Sequence, residues 1–228
     1  MKRDTLQKIL RFLIRVLTDT RFEGVEHIPT QGGVILATNH LSRLDIPVLF
    51  VNPVRNDLTG LVADKYKRHS IIAWFTRQAQ GIWLDRTKAD FSAFRDAIAA
   101  LGEQRVLGIA PEGTRSRHGC LQEGHPGIVL LAVRSGAPIL PVVYYGHAEY
   151  KEQLLHFRRP RVQIVVGQPF YLDAGGKALS RDVRDQMTAE IMYQMAALLP
   201  PHFRGHYADM KQATQAYLRF GPQAALQF

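Results

Sequence analysis

The sequence predicts an α/β fold, with a mixed, largely parallel sheet flanked by helices and an amphipathic helix at the N-terminus. Short apolar runs typical of buried strands alternate along the chain with longer stretches of helical periodicity. Such alternation produces a sheet that helices cover on both faces. The 228 residues are 46% hydrophobic and 21% charged, which suits one large domain with a substantial core and argues against a disordered chain.

The N-terminal segment predicts a basic amphipathic helix. Its apolar residues recur at helical spacing, namely Leu6, Ile9, Leu10, Leu13, Val16 and Leu17, and the basic residues that flank them are Lys2, Arg3, Lys8, Arg11 and Arg15. A helix of this kind either lies in a membrane interface or packs on its own domain, and periodicity alone does not separate the two. We interpret residues 1–22 as a membrane-interface helix and residues 23–228 as an α/β domain.

The other elements follow from apolar runs and from the residues that break them. Runs of four to eight mostly apolar residues between turn residues predict strands over 34–38, 58–63, 81–84, 106–110, 138–145 and 162–166. Pro47 fits only the first turn of a helix, so a helix is expected to begin near Asp45. Glycine or proline ends each of the remaining predicted helices, which span 71–80, 91–101, 128–133 and 183–199.

The charge balance restricts the class of partner. The chain carries 29 basic and 20 acidic residues, a net charge of +9. A surface this basic favours anionic partners, such as nucleic acid, anionic lipid or phosphorylated small molecules. Cys120 is the only cysteine, which excludes an internal disulfide and favours a reducing compartment.

The first polar cluster after a predicted strand contains His40 and Asp45. Histidine is suited to taking a proton near neutral pH, and a neighbouring carboxylate can fix its tautomer. Positions five apart are about 140° apart on a helix, so the two meet only if His40 lies in a loop and Asp45 at the start of the helix. Taken alone, Asp45 can equally be a plain helix N-cap and His40 a surface loop residue.

Two further polar clusters follow strands and carry arginines. Arg86 can form a planar fork onto a phosphate, or can simply pair with Asp85. Residues 111–116 combine a glycine that allows close backbone approach with the guanidinium of Arg115. The same residue types also make an ordinary turn, so neither cluster decides a function alone.

Together, and in this order, these motifs resemble those of the glycerolipid acyltransferase family, most of all the 1-acyl-sn-glycerol-3-phosphate acyltransferases. The resemblance runs from about residue 24 to residue 166. It is carried by Asn39-His40-x-Ser42-x-x-Asp45, Gly81-x-x-x-Asp85-Arg86, Pro111-Glu112-Gly113-Thr114-Arg115-Ser116 and Ile139-Leu140-Pro141-Val142.

The resemblance implies an acyl transfer from acyl-coenzyme A or acyl carrier protein to a hydroxyl of a glycerophosphate. It implies that His40 is the general base and that Asp45 orients it. Lys65 and Arg86 would hold the acceptor phosphate, and Pro141 would shape the apolar acyl side. The full implied substrate-binding set is Lys65, Arg86, Glu112, Gly113, Thr114, Arg115 and Pro141.

We therefore expect an acyltransferase that makes phosphatidic acid from 1-acyl-glycerol-3-phosphate for phospholipid synthesis, peripheral on the cytoplasmic face of a membrane. Its expected partners are the acyl donor, a lysophospholipid acceptor and the membrane surface, with no nucleic acid, metal or cofactor. Departures from the family pattern near the acceptor motifs, such as Tyr66 and Ser70, leave other acceptors open. The alternatives are an acyltransferase for another lysolipid or for glycerol-3-phosphate, and a non-catalytic lipid-binding module.

Overall fold

The computed structural model describes residues 3–41, 45–87, 90–116, 118–146, 150–156 and 158–221. The helices within these residues are α1 (Arg3–Leu17), α2 (Asp45–Phe50), α3 (Ser70–Gln78), α4 (Phe91–Gly102), α5 (Gly127–Ser135), α6 (Tyr150–Leu155) and α7 (Arg181–Ala197). The strands are β1 (Asp19–Glu23), β2 (Val34–Thr38), β3 (Thr59–Ala63), β4 (Ile82–Leu84), β5 (Val106–Ile109), β6 (Ile139–Tyr145), β7 (Arg161–Val166), β8 (Phe170–Leu172) and β9 (Leu218–Phe220). A 3₁₀-helix, Asp64–Arg68, links β3 to α3.

The strands of the described residues form one mixed sheet in the order β1-β7-β6-β2-β5-β3-β4, with β8 and β9 attached beside β6. β6, β2, β5, β3 and β4 run parallel, whereas β1 and β7 run opposite to them. This confirms the predicted α/β fold with a largely parallel sheet. The carboxyl ends of the five parallel strands lie together, and we call this the carboxyl edge of the sheet and the opposite one the amino edge.

Helices cover both faces of the sheet because side chains alternate along each buried strand. In β2, Ile35 and Ala37 pack into the cluster that includes residues of α4, α5 and α7. Val34 and Leu36 point the other way, into a cluster with residues of α1, α2 and α3. Parallel strands covered on both faces read as continuous apolar runs, which is why the sequence predicts them well.

α1 packs on the core through Leu6, which is buried, and through the half-buried Leu10 and Ile14. The other apolar side chains of the helix form an exposed stripe. The guanidinium of Arg3 donates to the carbonyls of Asn56, at 2.6 Å, and Leu58, at 2.5 Å. The Gln7 amide, one turn further on, donates to the carbonyl of Phe50 at 3.2 Å. On another face lie the exposed side chains Ile9, Phe12, Leu13, Val16 and Leu17. No helix among the described residues is long and apolar enough to cross a bilayer.

All six predicted strands and the helices predicted after the N-terminal one are confirmed, with ends within two residues of the predicted ones. The N-terminal helix is confirmed over Arg3–Leu17 but ends before residue 22, because the chain enters β1 at Asp19. The elements that were not predicted are α6, β1, β8 and β9. β1 is a polar edge strand with no buried residue, and β8 and β9 have three residues each, so none contains the run of four or more mostly apolar residues on which the strand predictions rest. The predicted division of the chain at residue 22 stays a prediction.

Candidate active site

His40 lies two residues beyond β2, at the carboxyl edge of the sheet. The chain is fixed there by hydrogen bonds between Asn39 and Tyr144. The Oδ1 atom of Asn39 accepts a hydrogen bond from the backbone N–H of Tyr144 at 3.0 Å, and its Nδ2 atom donates to the Tyr144 carbonyl at 2.9 Å. The Tyr144 hydroxyl in turn donates to the Asn39 carbonyl. Because Asn39 is buried and bound on both sides, the half-buried His40 leaves the sheet at a defined point.

Glu112 ties the His40 loop to the loop that follows β5. Its side chain is 1% exposed, and its two oxygens accept hydrogen bonds from the backbone N–H groups of His40 and Gln122, both at 2.9 Å. The N–H of Ser116 donates to the His40 carbonyl at 2.7 Å, which adds a second connection. Burial raises the pKa of the Glu112 carboxyl, and the two amide hydrogen bonds act in the opposite direction. Glu112 thus positions backbone at the site.

The three predicted cations border the same loop. The Arg86 guanidinium donates to the carbonyl of Gly113. Arg115 reaches the Tyr66 hydroxyl at 3.5 Å, a long hydrogen bond, and the Lys65 ammonium lies 5.3 Å from the centroid of the Tyr66 ring. Thr114 is exposed beside them. Cations gathered at one place repel one another unless an anion joins them, so this arrangement suits an anionic ligand.

Gly113 fits this loop because it has no side chain. Its φ of 65° is a left-handed conformation, and a Cβ atom there would lie 2.9 Å from Cδ2 of His125. The N–H of His125 also donates to the Pro111 carbonyl at 2.9 Å, which packs the 121–125 segment against the loop. Sequence reasoning did not identify Tyr66, Gln122 or His125 as site neighbours; only Tyr66 carried a signal, as a departure from the family pattern.

Asp90 holds the turn that carries Arg86. It is the N-cap of α4, where Oδ1 accepts from the Ser92 hydroxyl at 2.6 Å and the Ala93 N–H at 3.1 Å. Its Oδ2 atom accepts from the N–H of Asp85 at 2.9 Å. The hydrogen bonds from Ser92, Asp85 and Ala93 hold the pKa of the Asp90 carboxyl far below its usual value.

We expect Asp90→Ala to lower the melting temperature, and we expect that loss to depend on pH. A carboxyl whose pKa is depressed in the folded state stabilises the protein above its unfolded pKa, which is near 4, and loses this effect as the pH falls below that value. The gap in melting temperature between wild type and Asp90→Ala should therefore narrow below about pH 4. Thermal unfolding over a pH series measures it, and a gap that stays constant into the acid range would contradict the assignment.

Two predicted site residues are not joined to this cluster by described contacts. α2 begins at Asp45, as predicted, but the side chain of Asp45 lies outside the described residues, and so does its predicted pairing with His40. Pro141 lies inside β6 and packs on the α7 side, since a Cβ atom on Gly167 would meet both the Pro141 ring and Leu198. Its neighbours Leu140 and Val142 face the other way.

A small apolar cavity lies within the core, on the face of the sheet that Leu140 and Val142 occupy. Side chains of five adjacent strands line it together with α2 and the chain before β2; the lining includes Phe22, Leu36, Leu49, Val106, Leu140, Val142 and Ile164. Leu36, Val106 and Ile164 are at most 4% exposed, so the cavity is part of the packed core.

A family model and several known proteins match this chain. The family model described as Acyltransferase matches residues 19–145. The 1-acyl-sn-glycerol-3-phosphate acyltransferase of Bacillus subtilis is 23% identical over 165 residues, which cover 71% of this chain and 79% of that protein. The Borreliella burgdorferi protein of the same name is 30% identical over 125 residues, 54% of this chain and 50% of that protein.

A solved structure has the same fold. The crystal structure of the 1-acyl-sn-glycerophosphate acyltransferase from Thermotoga maritima superposes with a TM-score of 0.61 at 23% identity, over 83% of this chain and 76% of that one. The family match spans more than half of the chain and encloses every predicted catalytic and substrate-binding residue, from His40 to Pro141. The chain therefore belongs to the acyltransferase family.

Proposed function

We propose that this acyltransferase moves a fatty acyl group from acyl-coenzyme A or acyl carrier protein to the free hydroxyl of 1-acyl-glycerol-3-phosphate, giving phosphatidic acid. The proposal rests mainly on one observation: the loop that carries His40 lies at the carboxyl edge of the sheet together with the three predicted cations. Glu112 binds the backbone of His40, and Arg86 binds the next residue of the same loop at Gly113. The proposed proton acceptor, His40, and a proposed phosphate-binding residue, Arg86, are thus both bound to the loop that follows β5.

In the proposed mechanism, His40 takes the proton of the acceptor hydroxyl while the hydroxyl oxygen attacks the thioester carbonyl. An oxygen–carbon bond forms and the carbon–sulfur bond breaks. The departing thiolate then takes the proton from the imidazolium, which leaves the enzyme unchanged. A thioester is already activated, so this route needs no covalent acyl-enzyme, no metal and no cofactor. Asp45, at the start of α2, would fix the tautomer of His40.

In this proposal, Pro141 acts on the apolar acyl side of the site through the shape of β6. Its ring packs towards Gly167 and Leu198, whereas its neighbours Leu140 and Val142 are buried in the core on the other face of the sheet.

Another lysolipid remains the second candidate acceptor, and one observation favours it. Tyr66 brings a hydroxyl to Arg115 and a ring to Lys65, so two of the three cations border a neutral side chain. A head group that carries a hydroxyl in addition to its phosphate would find a hydrogen-bonding partner in Tyr66.

Arg115→Gln tests the phosphate site and separates the two candidates. A hydrogen bond to a charged group contributes roughly 1.5–3 kcal/mol, so the KM for 1-acyl-glycerol-3-phosphate should rise about 10- to 150-fold, where KM reports binding. The KM for the acyl donor should change little. Wild type and variant should be assayed side by side on this acceptor and on a lysolipid without a terminal phosphate. An equal loss on both acceptors would mean that Arg115 does not bind the phosphate.

We further propose that the protein works as a peripheral enzyme at the cytoplasmic face of a membrane, with α1 in the interface. The exposed stripe of α1 includes Phe12, which is 65% exposed, and Lys8 and Arg15 lie beside it on the exposed surface. Apolar side chains that flank basic ones suit the boundary between acyl chains and anionic head groups. Arg3 and Gln7 hold the helix on the domain, so the stripe is available without undocking it.

Phe12→Ser with Val16→Ser should weaken binding to anionic vesicles and leave the fold unchanged. Each exposed apolar side chain that enters the bilayer contributes about 1.5–3 kcal/mol, so the pair should lower the partition coefficient by two orders of magnitude or more. Vesicle sedimentation measures this, and a thermal melt of the variant checks the fold. Unchanged sedimentation would mean that the stripe of α1 does not contact lipid.

A further inference from the structure

The three most exposed large apolar side chains among the described residues are Ile71 at 80%, Leu155 at 79% and Phe91 at 77%. They lie in α3, α6 and α4, far apart in the sequence. A single exposed apolar residue needs no explanation. Three at this degree of exposure become informative if they share one part of the surface.

All three lie at the carboxyl edge of the sheet. Ile71 is the second residue of α3, which follows the carboxyl end of β3 through the 3₁₀-helix Asp64–Arg68. Phe91 is the first residue of α4, after the turn that leaves β4. Leu155 ends α6, in the connection between the end of β6 and the start of β7, and these two strand ends pair with each other. The edge that carries His40 is therefore also the edge with the most exposed apolar side chains.

Basic side chains surround these apolar residues. Lys65, Lys67 and Arg68 are exposed in the 3₁₀-helix just before Ile71. One turn after Ile71, the half-exposed Trp74 extends the apolar surface of α3, and the exposed Arg77 follows it. On the other side of the edge, Arg158 and Arg161 are exposed close to Leu155. Isolated apolar side chains among cations match the interface of an anionic bilayer.

The carboxyl end of α1 reaches the same edge. β1 begins at Asp19, two residues after α1, and Asp19 pairs with Arg161 at the start of β7. The guanidinium of Arg159 caps the carboxyl end of α1 by donating a hydrogen bond to the carbonyl of Arg15 at 2.5 Å. α1 thus ends at the β1 side of the edge, while Ile71 and Phe91 lie at the β3 and β4 side, with His40 between them.

We propose that the carboxyl edge is a second membrane contact, in which Ile71, Phe91 and Leu155 enter an anionic bilayer while the basic residues bind its head groups. With α1 at one side, this contact sets the active site directly over the lipid surface. The inference rests on the proposed membrane role and adds to it the orientation of the enzyme. A second copy of the chain fits the edge poorly, because two copies meeting there about a twofold axis would bring the same cations face to face.

The test compares edge variants with matched variants at the amino edge in the full chain. The edge variants are Ile71→Ser, Phe91→Ser, Leu155→Ser and Arg68→Glu. The matched controls are Phe220→Ser, since Phe220 is 41% exposed and pairs with Phe170 at the amino edge, and Arg134→Glu, since Arg134 is exposed in the last turn of α5 before the start of β6. Vesicles of phosphatidylcholine alone and of phosphatidylcholine with phosphatidylglycerol are the probes.

Each apolar edge variant should lower the partition coefficient onto the mixed vesicles by about tenfold. Arg68→Glu should lower it by about 5- to 30-fold, and only on the vesicles that contain phosphatidylglycerol. The two amino-edge variants should bind as wild type does. Edge variants that bind like wild type, or equal losses at both edges, would overturn the proposal.

A second measurement places a side chain of this edge in the bilayer without altering it. The chain has 2 tryptophans, so Trp83→Phe leaves Trp74 as the only one. Vesicles made with brominated lipid should quench the fluorescence of Trp74 on binding. In the reciprocal Trp74→Phe variant, Trp83, which lies half-buried in β4 beneath Lys67, should be quenched less. No quenching of Trp74 would overturn the proposal.

Activity on a detergent-dispersed acceptor separates this inference from the proposed function. The apolar edge residues touch none of the proposed catalytic groups, so Ile71→Ser, Phe91→Ser and Leu155→Ser should keep wild-type turnover under those conditions. If wild type itself transfers no acyl group, the proposed function fails. If it transfers acyl groups and the edge variants still bind vesicles normally, only the proposal for the carboxyl edge fails.

Discussion

His40→Ala is expected to lower kcat by on the order of 10²–10⁴-fold while the protein stays folded, because it removes the group that takes the proton of the acceptor hydroxyl. The backbone N–H that donates to Glu112 remains in the variant, so the loop should keep its position. Initial rates with saturating acceptor measure kcat, and a thermal melt checks the fold. Added imidazole should restore part of the rate, since it can take the same proton.

One outcome of this experiment would contradict the mechanism. Near-normal turnover in a folded His40→Ala protein would remove the proposed base. His156→Ala is a control, because His156 is another histidine of a connecting segment at the carboxyl edge, but it is exposed and its ring binds only the Glu152 carbonyl in the described contacts. It should keep its full rate on a dispersed acceptor.

Glu112→Ala is expected to affect both catalysis and stability. Its two carboxylate oxygens hold the N–H groups of His40 and Gln122, and both donors lose their partner in the variant. Unpaired donors would cost about 1–3 kcal/mol of the free energy of unfolding. A displacement of the His40 loop by about 1 Å would lower kcat by about 10²-fold. KM for the acyl donor should change less than kcat, since Glu112 is buried away from the substrates.

Glu190 supplies the control for this positioning role. It is also fully buried, and its carboxylate accepts hydrogen bonds from the N–H groups of Ala216 and Tyr217, at 2.9 Å and 3.0 Å, far along the chain from the site loops. Glu190→Ala should therefore lower stability and leave kcat per folded molecule unchanged. If both variants lose stability and neither loses kcat, Glu112 is a structural residue only.

The sheet was predictable from the sequence because its parallel strands are buried on both faces. Runs such as 34–38 and 138–145 contain few polar residues, and breakers mark their ends. β1 was not predictable, since Asp19–Glu23 has charged residues at both ends and is an edge strand paired only with β7. The exposure of the α1 stripe was also beyond the sequence, because periodicity identifies a face but not what covers it.

For the site, the sequence identified side chains but not the backbone geometry that organises them. His40, Arg86 and Arg115 were found by residue type and by resemblance, and the structure brings their loops to one edge. The role of Glu112 was not predictable, because its partners are main-chain N–H groups of His40 and Gln122 that any residue would supply. The contact between Tyr66 and Arg115 joins residues 49 positions apart, so no local sequence pattern predicts it.

Product identification tests the central claim most directly. The purified protein should be incubated with labelled acyl-coenzyme A or labelled acyl-acyl carrier protein and a panel that contains 1-acyl-glycerol-3-phosphate, glycerol-3-phosphate and other lysolipids. The labelled products should then be separated and identified. The account predicts labelled phosphatidic acid from wild type, formed only when 1-acyl-glycerol-3-phosphate is present, and its near-absence with His40→Ala. Labelled free fatty acid without an acceptor-dependent product, or no consumption of any acyl thioester, would contradict it.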